Sequence, residues 1–180
     1  MKSQDIFILF KLISLEKSNQ SGSIELDHSV RNLASLTGVG KTEVSNAINR
    51  SIEVGLAKRR ARQTEISVNR KSLYEFIYYG LRYVFPVKPL ELTRGIPTAF
   101  AARVLNQKLF TPGDYVPVWP DAQAKSMGQA VKPLYRTVPN ATSKDEQLYA
   151  YLALVDAIRL GGAREKDIAG KELYRQMDLP

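Results

Sequence analysis

The stretch Arg31-Asn-Leu-Ala-Ser-Leu-Thr-Gly38-Val-Gly-Lys-Thr-Glu-Val44-Ser-Asn-Ala-Ile48 decides the fold of the first part of the chain. Its apolar residues recur at helical spacing on both sides of Gly38, which predicts two short helices joined by a tight turn. Gly38 can adopt the positive φ that such a turn requires. Val39 is expected to fill the angle between the helices, and Val44 and Ile48 to pack the second helix onto the first.

The second helix leaves polar side chains on the side that faces away from this packing. Short polar and basic side chains at such positions can approach the base edges in the major groove of DNA. The outward-facing residues are Lys41, Thr42, Ser45, Asn46 and Asn49, and their side chains would suit such a contact.

A cluster of basic residues follows the second helix. Residues 56–60 and 65–69 have the character of two short strands joined by a polar turn, which predicts a β-hairpin. Between residues 55 and 72 there are six basic residues and one acidic residue, so this segment carries +5 of the chain's +8. Charge concentrated on a hairpin suits contact with phosphates. The predicted phosphate-binding residues are Arg50, Lys58, Arg59, Arg60 and Arg62.

Residues 30–52 resemble the helix-turn-helix of bacterial transcription regulators. The segment Glu53-Val-Gly-Leu-Ala-Lys-Arg-Arg60 is similar to the junction in winged regulators, including the MarR-like group, at which the recognition helix leads into a β-wing. This resemblance implies sequence-specific binding of double-stranded DNA in transcriptional control. It also implies a base-contacting role for the outward residues Lys41, Thr42, Ser45, Asn46 and Asn49. Winged domains also serve as protein-interaction modules, and charge on a hairpin also guards a sheet edge against pairing. The alternative hypothesis is therefore a protein partner, such as an antitoxin-like partner of a neighbouring enzyme.

The chain as a whole predicts a mainly α fold with a small β-wing. Residues 1–83 are assigned to the winged helix-turn-helix domain, which begins with a helix over about residues 3–16 that buries one face. Residues 84–140 contain eight of the nine prolines, so they are predicted to be irregular, either as a long connecting segment or as a small irregular subdomain. Within this segment we expect only a helix at about 97–107 and an edge strand at about 113–120.

Residues 141–180 are predicted to form a pair of helices. Ser143-Lys-Asp-Glu146 has the pattern of a capping box and marks the start of the first of them. The apolar residues of this helix cover most of its circumference. A single neighbouring helix would bury only part of this apolar surface. The surplus around Tyr149, Leu152 and Ile158 predicts a homodimer, which would bring two DNA-binding domains to one site.

Three compact runs in the proline-rich segment combine charged, aromatic and proline residues: 92–98, 116–121 and 132–136. Together they resemble the body of an uncharacterised group of bacterial winged-helix proteins. In one interpretation, Trp119, Pro120 and Tyr135 pack an irregular core. In the other, Arg94 or Arg136 binds an anionic effector or a carboxylate of a protein partner.

Composition narrows the classes of function. The net charge of +8 and the pI near 9.7 favour polyanionic partners. The absence of cysteine excludes disulfides, thiolate catalysis and zinc-finger sites, and it favours the cytoplasm as the location. No apolar run is long enough to span a bilayer, and the N-terminus lacks the pattern of a signal peptide, so no membrane association is expected.

The sequence predicts no catalytic residue, no metal site and no cofactor. Part of a phosphate-binding P-loop is suggested by Gly38-Val-Gly-Lys-Thr42. The motif requires a glycine where this chain has Ser35, and a strand before the loop where a helix is predicted here. Nucleotide binding at these residues is therefore rejected. The single histidine, His28, lies at a predicted helix start. Four carboxylates have no metal-ligand spacing: Glu91, Asp114, Asp121 and Asp156. A small hydrolase or nuclease within residues 84–140 is the weakest alternative.

Overall fold

The structure is a computed structural model that describes residues 1–20, 28–59, 66–105 and 116–180. Helices make up more than half of these residues, beside a two-stranded antiparallel sheet and a three-stranded sheet. The mainly helical prediction with one small sheet is confirmed in outline, and the second sheet was not predicted. The described α-helices are α1 (Ser3–Gln20), α2 (Val30–Thr37), α3 (Lys41–Glu53), α4 (Arg70–Glu75), α5 (Leu81–Val84), α6 (Val138–Thr142), α7 (Glu146–Leu160) and α8 (Ala163–Gln176). The described strands are β1 (Ala57–Arg59), β2 (Ile66–Val68), β3 (Pro89–Pro97), β4 (Val116–Pro120) and β5 (Ser126–Val131).

Helix α1 lies at the centre of the molecule. Its residues 4–15 are all buried, whereas helical spacing predicted one buried face. The difference arises because α1 contacts α2 and α3 as well as α7, so its polar positions are covered too. Buried polar groups need partners, and Lys11 and Ser14 both find one in the carboxylate of Asp145, at 2.8 Å from each.

The proline-rich segment holds a three-stranded sheet, so the prediction of an irregular connection is wrong. Strand β3 pairs antiparallel with β5 and then with β4, and β4 pairs in parallel with β5, which closes the three strands on one another. The strands approach one another closely. A Cβ atom on Gly95 would lie 2.2 Å from the carbonyl oxygen of Trp119, and a Cβ atom on Gly128 would lie 2.1 Å from the carbonyl oxygen of Val116. Several prolines stand at strand ends, where a missing N–H costs little.

Two smaller expectations for this segment are also corrected. The helix expected over about 97–107 is replaced, as far as residue 105, by two 3₁₀ turns, Ala99–Ala101 and Arg103–Leu105. The backbone at Ala99 has a φ of 49°, which an α-helix does not accommodate. The edge strand expected near 113–120 is β4, and it is paired on both sides.

Helix α7 is buried on every side over residues 148–159. Tyr149, Leu152 and Ile158 are covered within the chain, because α1, α8 and the 3₁₀ turns all pack on α7. The predicted dimer face is therefore wrong, since no apolar surplus is left on this helix. The cap was also misplaced: Asp145 accepts from the Leu148 N–H at 2.9 Å, and α7 begins at the following residue.

One hydrophobic core runs through all three predicted segments. Leu33 of α2, Trp119 of β4 and Leu154 of α7 belong to the same buried cluster. Both the β3–β5 sheet and the helices α7 and α8 are thus packed onto the same core as the N-terminal helices. None of the helices formed by the described residues is both long and apolar enough to cross a membrane.

Candidate nucleic-acid interface

Helices α2 and α3 meet around a tight turn, as the sequence predicted. The Ser29 hydroxyl caps α2 by accepting from the Asn32 N–H at 3.2 Å. Gly38 ends the helix with a φ of 67° and donates its N–H to the Ala34 carbonyl at 2.9 Å. Val39 is buried at the turn, together with Leu33, Val44 and Ile48 on the two helices. The apolar pattern thus positions α3 against α2 with one side facing outward.

The outward side of α3 carries the five predicted base-contacting residues. Lys41, Thr42, Asn46 and Asn49 are exposed, and Ser45 is half-buried. They begin at the first residue of the helix and continue over more than two turns. The structure therefore brings this whole predicted set onto one exposed side of one helix.

A β-hairpin packs directly after α3. Strands β1 and β2 pair antiparallel, with Ala57 opposite Val68. Lys58 and Arg59 are exposed, and the Arg59 guanidinium donates from Nη2 to the Asn49 Oδ1 atom at 3.1 Å. This bond places the basic strand beside the polar side of α3. Arg60 and Arg62 lie outside the described residues.

Arg50 differs from its predicted role in phosphate binding. Its guanidinium forms two bonds with the carboxylate of Asp5 in α1, from Nε to Oδ2 at 2.9 Å and from Nη2 to Oδ1 at 2.7 Å. The hydrogen bonds with Asp5 raise the pKa of Arg50 above its ordinary value. Because Asp5 is fully buried, this pair fixes α3 to α1. We therefore assign Arg50 a structural role and remove it from the phosphate-binding set.

Glu43 is a site residue that the sequence analysis missed. It lies in the first turn of α3 and accepts from Lys2 Nζ at 3.2 Å and from Gln4 Nε2 at 2.5 Å. Both hydrogen bonds lower the pKa of Glu43, and the bond from Lys2 has the larger effect. They attach the start of α1 to the start of α3. The partners are about forty residues apart in the chain, so no local pattern could have indicated them.

No protein-family model, curated protein or solved structure matches this chain.

The two arginines assigned to an effector or a partner both lie at the surface. Arg94 is exposed on β3 opposite Met127 of β5, and Arg136 is exposed in the turn before α6. These residues lie in different parts of the fold, on a strand and beside the helices. The packing interpretation of this region is confirmed for Trp119, which is fully buried, and the Tyr135 ring stacks on the Phe7 ring. Pro120 is exposed.

The carboxylates show no arrangement for metal chemistry within the described ranges. No group of three or more potential metal-ligating side chains lies together there. Asp156 is buried in α7, where it accepts from Trp119 and pairs with Arg159. Glu91 and Asp121 belong to the region of the three-stranded sheet, and Asp114 lies outside the described residues. Residues 38–42 form the turn and the start of α3, with α2 before them.

Proposed function

We propose that this chain binds double-stranded DNA sequence-specifically, as a cytoplasmic transcriptional regulator of the winged helix-turn-helix type. In this proposal α3 lies in the major groove, and the β1–β2 hairpin is the wing that contacts the backbone. The observation that carries it is the bond between Arg59 and Asn49, because it joins a basic hairpin to the exposed polar side of α3. The net charge of +8 supports a polyanionic ligand.

The two groups of residues have different roles in this proposal. Lys41, Thr42, Ser45, Asn46 and Asn49 face the bases, and asparagine has a side-chain amide that can bond adenine with both its donor and its acceptor. Lys58 and Arg59 hold phosphates, which provides affinity without reading sequence. The contribution of Arg60 and Arg62 remains part of the proposal on sequence grounds alone.

Removing the two described wing cations tests the proposal. In the variant Lys58→Ala with Arg59→Ala, we expect the plot of log binding constant against log salt concentration to flatten by roughly two units, because two phosphate contacts are lost. Fluorescence anisotropy with a labelled random-sequence duplex measures this slope. The matched control is Arg164→Ala with Lys171→Ala, which removes two exposed cations from α8 and should leave the slope unchanged. A wing variant with the slope of the parent would remove the hairpin from the DNA contact.

One observation favours a second candidate, a protein-interaction module of the antitoxin-like kind. Tyr79, Tyr83 and Val84 are exposed by 67%, 77% and 54%. Tyr83 and Val84 follow Tyr79 by four and five residues on the helical run after β2. A surface of this kind is typical of contact with another protein. Alanine at both tyrosines should weaken a protein contact and leave the affinity for DNA unchanged.

We keep the homodimer as part of the proposed function. One helix-turn-helix reaches only a few base pairs, and two copies on one duplex are the usual remedy. The contact between copies then lies away from Tyr149, Leu152 and Ile158, which are buried.

A further inference from the structure

The segment before α6 is attached to the turn between α2 and α3. The Thr137 hydroxyl donates to the carbonyl of Thr37, the last residue of α2, at 2.5 Å. Gly38 packs against the same threonine, since a Cβ built on Gly38 would lie 3.1 Å from Thr137 Cγ2. A residue one hundred positions further along the chain therefore borders the helix-turn-helix directly.

This segment is held on its other side by α1. The Ser3 hydroxyl donates to the Leu134 carbonyl at 2.6 Å, and the Tyr135 ring stacks on Phe7 with 6.3 Å between the ring centroids. Arg136 lies between these anchored residues and Thr137, so its backbone position is fixed relative to the turn. Its side chain is exposed, and within the described ranges it forms no ion pair. The guanidinium is thus exposed to solvent on a backbone that is anchored one residue away from the turn before α3.

The two ends of the polar side of α3 are then both flanked by cations. At the start of α3, Lys41 is exposed and Lys2 Nζ lies 3.2 Å from Glu43. Arg136 immediately precedes Thr137, which contacts the turn that leads into α3. At the other end the hairpin contacts Asn49. The major groove of B-DNA is about 12 Å wide, close to the diameter of an α-helix with its side chains, so a helix that lies in the groove has a phosphate strand on each side.

We propose that Arg136 binds a DNA phosphate near the start of α3, while the hairpin holds phosphates near the other end of its polar side. The C-terminal half of the chain then contributes to the DNA contact, and α3 is held from both ends over the bases that it faces. This inference rests on the DNA binding proposed above and adds a residue to that site. In this proposal the hydrogen bond between Thr137 and Thr37 helps to fix the backbone of Arg136 relative to α3.

The test compares Arg136→Ala with the parent by anisotropy on a labelled random-sequence duplex over a range of salt concentrations. We expect the slope of log binding constant against log salt to fall by about 0.9, the value for one phosphate contact. Arg136→Lys keeps the charge and should keep the slope of the parent. Arg164→Ala, an exposed arginine of α8, is the matched control and should also keep it. Thermal unfolding of each variant should match the parent, since all these side chains are exposed.

The outcomes separate the two proposals. A parent that binds the duplex, together with an Arg136→Ala variant of equal slope, overturns the role of Arg136 alone. A parent that does not bind duplex DNA even at low salt overturns the proposed function and, with it, this inference. A slope that falls equally in Arg136→Ala and Arg164→Ala reports net charge only and also overturns the role of Arg136.

Discussion

Replacing Asp156 with alanine will lower the free energy of unfolding by about 3–5 kcal/mol, because it leaves a buried guanidinium without its carboxylate. Arg159 Nη1 lies 2.7 Å from Asp156 Oδ1, and the two side chains are 5% and 2% exposed. The other carboxylate oxygen accepts from Trp119 Nε1 at 2.6 Å and from the Thr98 hydroxyl at 3.2 Å. Burial raises the pKa of Asp156, while Arg159 acts in the opposite direction. This one carboxylate therefore joins α7 to β4 and to the turn after β3.

Urea denaturation of the parent and three variants checks this expectation. Asp156→Ala with Arg159→Met should be more stable than Asp156→Ala alone, because the second change removes the stranded charge. Asp167→Ala, which opens an exposed ion pair with Lys171, is the control and should leave the midpoint unchanged. If Asp156→Ala unfolds within about 0.5 kcal/mol of the parent, the buried network does not hold these elements together.

The second large effect is expected at the contact between α1 and α3. Arg50→Ala should destabilise the protein by about 3 kcal/mol, the lower end of the range for a broken buried pair, because water reaches part of the guanidinium. In this variant the Asp5 carboxylate would stay buried without its guanidinium partner. Among the described residues it would keep one hydrogen bond, from the Lys2 N–H at 2.8 Å. Urea denaturation measures the loss, with Arg31→Ala, an exposed arginine of α2, as the control.

The variant Arg50→Ala also distinguishes the structural role of Arg50 from a role in phosphate binding. If Arg50 bound a phosphate, Arg50→Ala would flatten the salt dependence of DNA binding by about one unit and leave the unfolding midpoint unchanged. We expect the reverse: a lower midpoint and, in conditions where the variant is folded, the same salt dependence.

The sequence predicted those parts of the fold that local patterns specify. Gly38 and the apolar residues around it determine the turn between α2 and α3 within about twenty residues, and the outward side chains of α3 follow from helical spacing. The hairpin likewise pairs residues that are close in the chain. For the same reason, the candidate base-contacting residues could be predicted before the structure was known.

The errors lie where distant residues meet. The three-stranded sheet depends on pairing between β3, β4 and β5, and its prolines concealed it because they stand at strand ends as well as within β4. Arg50 looked like a phosphate ligand because its buried partner, Asp5, is 45 residues away. The apolar surplus of α7 looked like a dimer face because nothing in the sequence shows that α1 and α8 both cover it.

Selection of bound duplexes from a random-sequence pool, at low salt and with the full chain, tests the central proposal most directly. We predict that one short motif is enriched, and that Asn46→Ala relaxes the preference at one or two of its base pairs by about 1–3 kcal/mol while the other positions keep theirs. Asn46 is the informative position because it is exposed in the middle of the polar side of α3. A pool that shows no enrichment after repeated rounds, or a motif that Asn46→Ala weakens uniformly at every position, would contradict base reading by α3.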